Sequence, residues 1–323
     1  MKKSSLYGIA VGLTLFVAGL AWTGFNGRRI QHDFQQIGHR GYASQQATLG
    51  AAAVTRIHVD ASDVPVIVKT QPDSSTVRVA YFSSKNDKFA VTSANGIISV
   101  ARATPVKSHF MCLFACIHTP YSIIIYVPAG SDYAYAVTAN NEAVTFQNSG
   151  TLHTGNVSIS ASHGTVKLQQ LVTNGDITVD GGDGSIALQQ VQATGTLKLT
   201  SPYADTSLTN VQAKTITDQS DNGSASLDTV TADTLSVNAN DGTITLKRLA
   251  ARNGTLTSNY GSITGSVQGS KNDYALKASS PNGSVKIDGV PHDTSYSSGN
   301  NAKKTLTVQA PNGEISLNFE GNQ

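Results

Sequence analysis

From Val54 onward apolar and polar residues alternate in short runs, with none of the three-to-four spacing of an amphipathic helix. Ile57-His58-Val59, Val64-Pro65-Val66-Ile67-Val68, Val77-Arg78-Val79, Ile97-Ile98-Ser99-Val100 and Ile123-Ile124-Ile125-Tyr126-Val127 are β-branched and bounded by turn formers. Each predicts a strand. From about residue 150 the pattern becomes a repeat. A Gly-x-apolar-x-Leu unit occurs as Gly164-Thr-Val166-Lys-Leu168, Gly184-Ser-Ile186-Ala-Leu188, Gly223-Ser-Ala225-Ser-Leu227 and Gly242-Thr-Ile244-Thr-Leu246. It continues at Gly261, Gly283 and Gly313, with Ala204 standing for glycine in one unit. Successive starts at 164, 184, 204, 223, 242 and 261 differ by 19 or 20 residues. A second apolar pair precedes each unit, as at Ile177/Val179, Leu197/Leu199 and Leu235/Val237, and an apolar residue follows three after the leucine, as at Leu171, Val191, Val211, Val230 and Leu249.

Two short strands per period, with no helix between them, cannot bury enough within one unit to offset the entropy of ordering it. The units must therefore stack as a parallel β-solenoid. About seven rungs at ~4.8 Å each give a rod of about 35 Å. An antiparallel meander is the rival, because Asn-Gly and Asp-Gly pairs such as Asn222-Gly223 and Asp241-Gly242 favour hairpins. The constant period favours coils, and glycine at positive φ would turn their corners. In that register Gln169, Gln189, Thr209, Asp228 and Lys247 share one outward column, and Gln170, Gln190, Asn210, Thr229 and Arg248 the next. Amide ladders and a surface ion pair between Asp228 and Lys247 are expected there. The predicted core includes Ile177, Ile186, Leu188, Val191, Leu197, Val211, Val230, Leu235, Ile244 and Leu246.

The N-terminal part has a different character. Residues 6–25 form a 20-residue run without charge, long enough as a helix to cross a bilayer. A secretory signal core is usually shorter, and Gly19-Leu20-Ala21 is a poor cleavage site. The expected organisation is a short cytoplasmic tail (1–5), a transmembrane anchor (6–25), a juxtamembrane linker without periodicity (26–53), an N-terminal β-region capping the solenoid (54–150), and the repeats (151–323). Lys2 and Lys3 oppose Arg28, Arg29 and Arg40, so flanking charge nearly balances. The five-residue tail and the large weakly charged domain favour an extracytoplasmic C-terminal domain at the cell membrane.

Composition narrows function mostly by exclusion. Charged residues make up 14% of the chain and its net charge is +2. No basic patch supports nucleic-acid binding. Glycoside hydrolysis needs two carboxylates about 5–9.5 Å apart. Asp183 and Asp241 share a column but lie three rungs apart, so no catalytic residues are assigned and no cofactor is expected. Asp180-Gly-Gly-Asp183-Gly resembles one turn of a calcium-binding repeat but has no copy on neighbouring rungs, and is read as a solvated corner.

The stretch 108–120, SHFMCLFACIHTP, stands apart. His109, Cys112, Cys116 and His118 lie within ten residues, but structural zinc usually draws its ligands from separated segments, and apolar neighbours disfavour thiolates. No metal site is assigned. Cys112 and Cys116 are close enough for a disulfide, with free thiols the alternative. Phe110, Met111, Leu113, Phe114 and Ile117 form either an apolar tip for a membrane or partner, or a cap on the open first coil.

The glycine-turn repeats, the Ile125-Tyr126-Val127-Pro128 step and the ending NGSVKIDG…LTVQAPNGEISLNF resemble the bacterial "putative adhesin" domain family over residues 54–319. That resemblance implies a β-solenoid of unknown function, often tethered by an N-terminal membrane helix, with no catalytic residue to carry over. It suggests a non-enzymatic, membrane-anchored surface binding or structural rod whose partner is a cell-surface protein, a polysaccharide or a peptide. Some relatives serve envelope stress, so a sensing or regulatory component responding to membrane damage or antimicrobial peptides is the alternative, with a polysaccharide-active β-helix enzyme a minor one.

Overall fold

The computed structural model of the protein describes residues 42–51, 53–85, 87–103, 121–299 and 302–322. The expected anchor at 6–25 and the loop 108–120 lie outside the described residues. Those residues contain 23 strands and two single-turn 3-10 helices. None of their helices is long and apolar enough to cross a membrane.

The first nine strands are β1 (Ala43–Gly50), β2 (Arg56–Asp60), β3 (Val66–Gln71), β4 (Thr76–Ser83), β5 (Phe89–Ala94), β6 (Ile97–Arg102), β7 (Ile123–Pro128), β8 (Tyr133–Thr138) and β9 (Val144–Phe146). The repeats supply β10 (Leu152–Ser160), β11 (Val166–Thr173), β12 (Ile177–Asp180), β13 (Ile186–Thr200), β14 (Thr206–Gln219), β15 (Ala225–Asn238), β16 (Ile244–Thr257) and β17 (Ile263–Val267). The end of the chain forms β18 (Tyr274–Ser279), β19 (Ser284–Ile287), β20 (Val290–His292), β21 (Ser295–Ser298), β22 (Lys304–Gln309) and β23 (Glu314–Phe319).

Parallel pairing builds two long columns. One follows β6, β2, β8, β10, β12, β13, β14, β15, β16, β22 and β18. The other follows β7, β3, β9, β11, β13, β14, β15, β16, β17, β23 and β19. Each column has eleven parallel strands, so the stack is about 50 Å long at ~4.8 Å per step. The coils therefore extend beyond the seven expected rungs. Residue 150 marks no break, since β8 pairs with β10 and β9 with β11.

The register is the one the repeat predicts. Leu168 lies opposite Leu188, Leu188 opposite Leu208, and Leu227 opposite Leu246, all in parallel pairs. The ten predicted core residues are at most 3% exposed. Along each repeat the inward side chains pack on those of the coils above and below, giving one continuous apolar interior. Leu171, Val191, Val211 and Val230 line a third, shorter side of the coil.

Two expectations need correction. The glycines that open each repeat do not turn corners through positive φ. Left-handed backbone falls instead on Gln170, Gln190, Asn210, Thr229 and Arg248, at φ of 53–58°. There two successive residues face outward, the strand bends, and the inward alternation resumes. The repeat glycines are required by proximity: a Cβ on Gly184, Gly223, Gly242 or Gly261 would collide with a backbone carbonyl of the adjacent coil. Only a residue without a side chain lets the coils approach to strand spacing there.

The second correction concerns the linker. Its latter part, Ala43–Gly50, is strand β1, paired antiparallel with β4. β1 is exposed along most of its length, so its sequence carries no apolar alternation.

Candidate functional site

The N-terminal end of the stack gathers a polar cluster around Asp87 and Arg102. Asp87 is 3% exposed and would be costly to bury as a lone charge. Arg102 answers it with a fork: Nε donates to Asp87 Oδ1 and Nη2 to Oδ2, both at 2.8 Å, while Nη1 donates to the Ser62 carbonyl at 2.6 Å. The Tyr42 hydroxyl donates to the same carboxylate at 3.0 Å. Burial pushes the Asp87 carboxyl upward, but the hydrogen bonds from Arg102 and Tyr42 outweigh it and hold the group below its ordinary value. The ring of Tyr42 lies 4.8 Å from that of Tyr121, and Tyr121 lies 4.5 Å from Phe82. This cluster therefore ties together the first described residue and the residue that follows the loop 108–120. Its basis in sequence was hidden, because Tyr42, Asp87, Arg102 and Tyr121 are far apart along the chain and follow no shared period.

Cys112, Cys116, Phe110, Met111, Leu113, Phe114 and Ile117 lie outside the described residues. What the structure places is their frame. The stretch joins β6 to β7, the outermost parallel coil, and that coil is covered by antiparallel β5 on β6 and β4 on β7.

Along the repeats the outward columns stack as the register requires. Gln169 Nε2 meets Gln189 Oε1 at 3.2 Å, and Lys247 Nζ meets Asp228 Oδ2 at 2.8 Å. Arg248 Nη2 donates to Thr229 Oγ1 at 2.8 Å. On the third side, Ala193, Ala213 and Ala232 floor a groove of about 420 Å3 walled by Gln192, Gln212 and Lys214. Small apolar floor residues flanked by polar side chains form a trough parallel to the rod axis. Among the described residues, no three His, Cys, Asp or Glu side chains gather as a metal set. Asp180-Gly-Gly-Asp183-Gly is a tight corner, with Gly182 at φ 53° and its N–H donating to Asp180 Oδ1 at 3.3 Å. Asp183 meets His163 at 3.3 Å and remains three coils from Asp241.

One carboxyl lies where sequence periodicity called for a hydrophobe. Asp218 sits in the inward column between Leu199 and Val237 and is 1% exposed. Thr206 Oγ1 donates to its Oδ2 at 2.5 Å. Burial raises this carboxyl to about 6, despite the hydroxyls of Thr206 and Ser220 beside it.

No curated protein matches the chain. A crystal structure of a "putative adhesin" from Bacteroides fragilis NCTC 9343 is similar at 12% identity and a TM-score of 0.39, covering 87% of this chain and 97% of that one. A "putative cell adhesion protein" from Clostridium sporogenes ATCC 15579 is similar at 11% identity and a TM-score of 0.22, covering 86% of this chain and 100% of that one. The Toastrack DUF4097 family matches residues 54–318, nearly the whole described solenoid, and the chain belongs to that family.

Proposed function

We propose that this chain is a non-enzymatic, adhesin-like rod of the cell envelope, anchored through residues 6–25 with its solenoid outside the cytoplasmic membrane. The observation that carries this reading is the stacking of Tyr42 on Tyr121. It roots the segment leading back to the apolar run and the apolar loop 108–120 at one end of a rod about 50 Å long. Both apolar stretches then leave the domain at its membrane-facing end, and the repeats extend away from it. β4 and β5 already cover the outermost parallel coil, which favours a role for the apolar residues of 108–120 as a tip for the membrane surface or a partner over a role as a cap. In that oxidising setting Cys112 and Cys116 form a disulfide across the tip.

Protease added to intact cells carrying an epitope after Gln323 tests the orientation. The epitope is expected to disappear while a cytoplasmic control protein survives. Protection of the epitope in cells whose other surface proteins are cleaved would reverse the topology. The loop is tested by Phe114→Ser. A tip variant keeps the melting temperature and loses membrane or partner binding, whereas a variant that melts several degrees lower returns the loop to capping.

A further inference from the structure

The residue before each repeat glycine forms one corner column along the rod. Backbone bonds fix it: Asp183 N–H reaches Ser162 O, Asn222 N–H reaches Pro202 O, Asp241 N–H reaches Asp221 O, and Tyr260 N–H reaches Asn240 O. The column therefore reads His163, Asp183, Tyr203, Asn222, Asp241, Tyr260, and every one of these side chains is exposed. At Asp183, Asn222 and Asp241 the column carries the short polar residues that suit a solvated corner. Tyr203 and Tyr260 break the pattern at 67% and 68% exposure, the two most exposed large side chains among the described apolar and aromatic residues. The fold does not need them. Neither ring packs on another aromatic ring or a cation, and neither hydroxyl has a hydrogen-bond partner, among the described residues. The backbone at both is outside the left-handed region, so any side chain fits.

We propose that this ridge binds a neutral, extended β-linked polysaccharide lying along the rod axis, a reading that deepens the surface-rod function above. Tyr203 and Tyr260 are three coils apart, about 14 Å at the usual strand spacing. They stand on a rigid stack, so their separation is preset and little ordering is required on binding. A pyranose ring offers an apolar C–H face to an aromatic ring and hydroxyls at its rim. An extended β-linked chain advances per sugar by nearly the distance between coils. Two sugar rings three units apart would rest on the two tyrosines, and the intervening hydroxyls would meet Asn222 and Asp241. An apolar peptide helix finds no pocket on this ridge, and the corner presents no free strand edge for β-addition. Asp183, Asp205, Asp221 and Asp241 lie on or beside the ridge and would repel a uronate- or sialate-rich chain.

Titration of the full-length chain with cellohexaose and chitohexaose, and with an oligogalacturonate as the anionic control, tests this. Binding of at least one neutral hexamer and none of the anionic one is expected. Tyr203→Ala or Tyr260→Ala should each weaken it about tenfold, the double variant should abolish it, and the Tyr→Phe variants should keep it. All variants should melt with the wild type, since neither ring is packed. Failure of both neutral hexamers to bind, or equal binding by the double alanine variant, would overturn the proposal. So would loss of binding on Gln212→Ala alone, which would move the site to the alanine-floored groove. A rod that is shaved from intact cells yet ignores these glycans would keep its surface role and lose this ligand.

Discussion

The middle of the rod and its two ends are built from the same strands under different rules. Between β10 and β17 each coil follows its predecessor in sequence and lies directly on it. At the ends, order in the chain and order in space part company. The coil of β6 and β7 lies outside that of β2 and β3, although it comes later in sequence. The coil of β22 and β23 slips between β16–β17 and β18–β19. Each end is then closed by strands running the other way: β5 on β6 and β4 on β7 at one end, β21 on β18 and β20 on β19 at the other. A repeat by itself makes an open stack whose terminal edges would recruit further strands. Reversed strands end that propagation, and the price is a loss of the period that makes the middle legible.

The same dipeptide shows the two regimes. Asn95-Gly96 and Asp288-Gly289 have positive φ at both residues and join directly paired strands, the geometry of a type I′ hairpin. Asn222-Gly223 and Asp241-Gly242 have positive φ at neither, and make solenoid corners in which the glycine passes beneath a carbonyl.

The largest way to break the contrast is at the N-terminal end. Arg102→Ala would strand a buried carboxylate and is expected to cost about 3–5 kcal/mol. Denaturant unfolding should show it, and a loss near zero would mean that Asp87 is solvated. In the middle, Leu188→Ala should cost about 2–5 kcal/mol, as buried leucine truncations do. A loss below about half a kcal/mol would place Leu188 off the core.

The buried Asp218 sharpens the comparison through pH. A carboxyl raised to about 6 binds more protons folded than unfolded between about pH 4 and 6. Its contribution is therefore full below pH 4 and lost as pH rises through 6, by up to about 3 kcal/mol. Asp218→Asn keeps an acceptor for Thr206 and should remove that slope. Identical pH–stability profiles for the variant and the wild type would count against burial as the cause.

Gly242→Ala should cost about 1–3 kcal/mol by forcing two coils apart, whereas Gly50→Ala, with open space around its Cα, should be near neutral. Equal melting temperatures for the two would refute the close-approach account. The smallest effect is expected on the surface ladder. Lys247→Ala removes an exposed pair and should leave the melting temperature nearly unchanged, with any effect fading at high salt.

Much of the middle was legible because its information is local and repeated. Gly-x-apolar-x-Leu at a fixed period states which residues face inward, and a period too short for self-sufficient units forces stacking. Strand register then follows, down to the Asp228–Lys247 pair. Tertiary structure alone decided the rest. Which backbone positions go left-handed was not written in residue type, since Gln190 and Thr229 occupy a conformation in which glycine is the usual choice. Strand β1 was invisible because an exposed edge strand needs no apolar alternation, and Asp218 broke a pattern that only burial reveals. The reordered end coils and the Tyr42–Asp87–Arg102–Tyr121 cluster join residues distant in sequence. Sequence periodicity encodes which face is buried, whereas the choice of partner at the ends rests on long-range pairing energies that only the assembled stack defines.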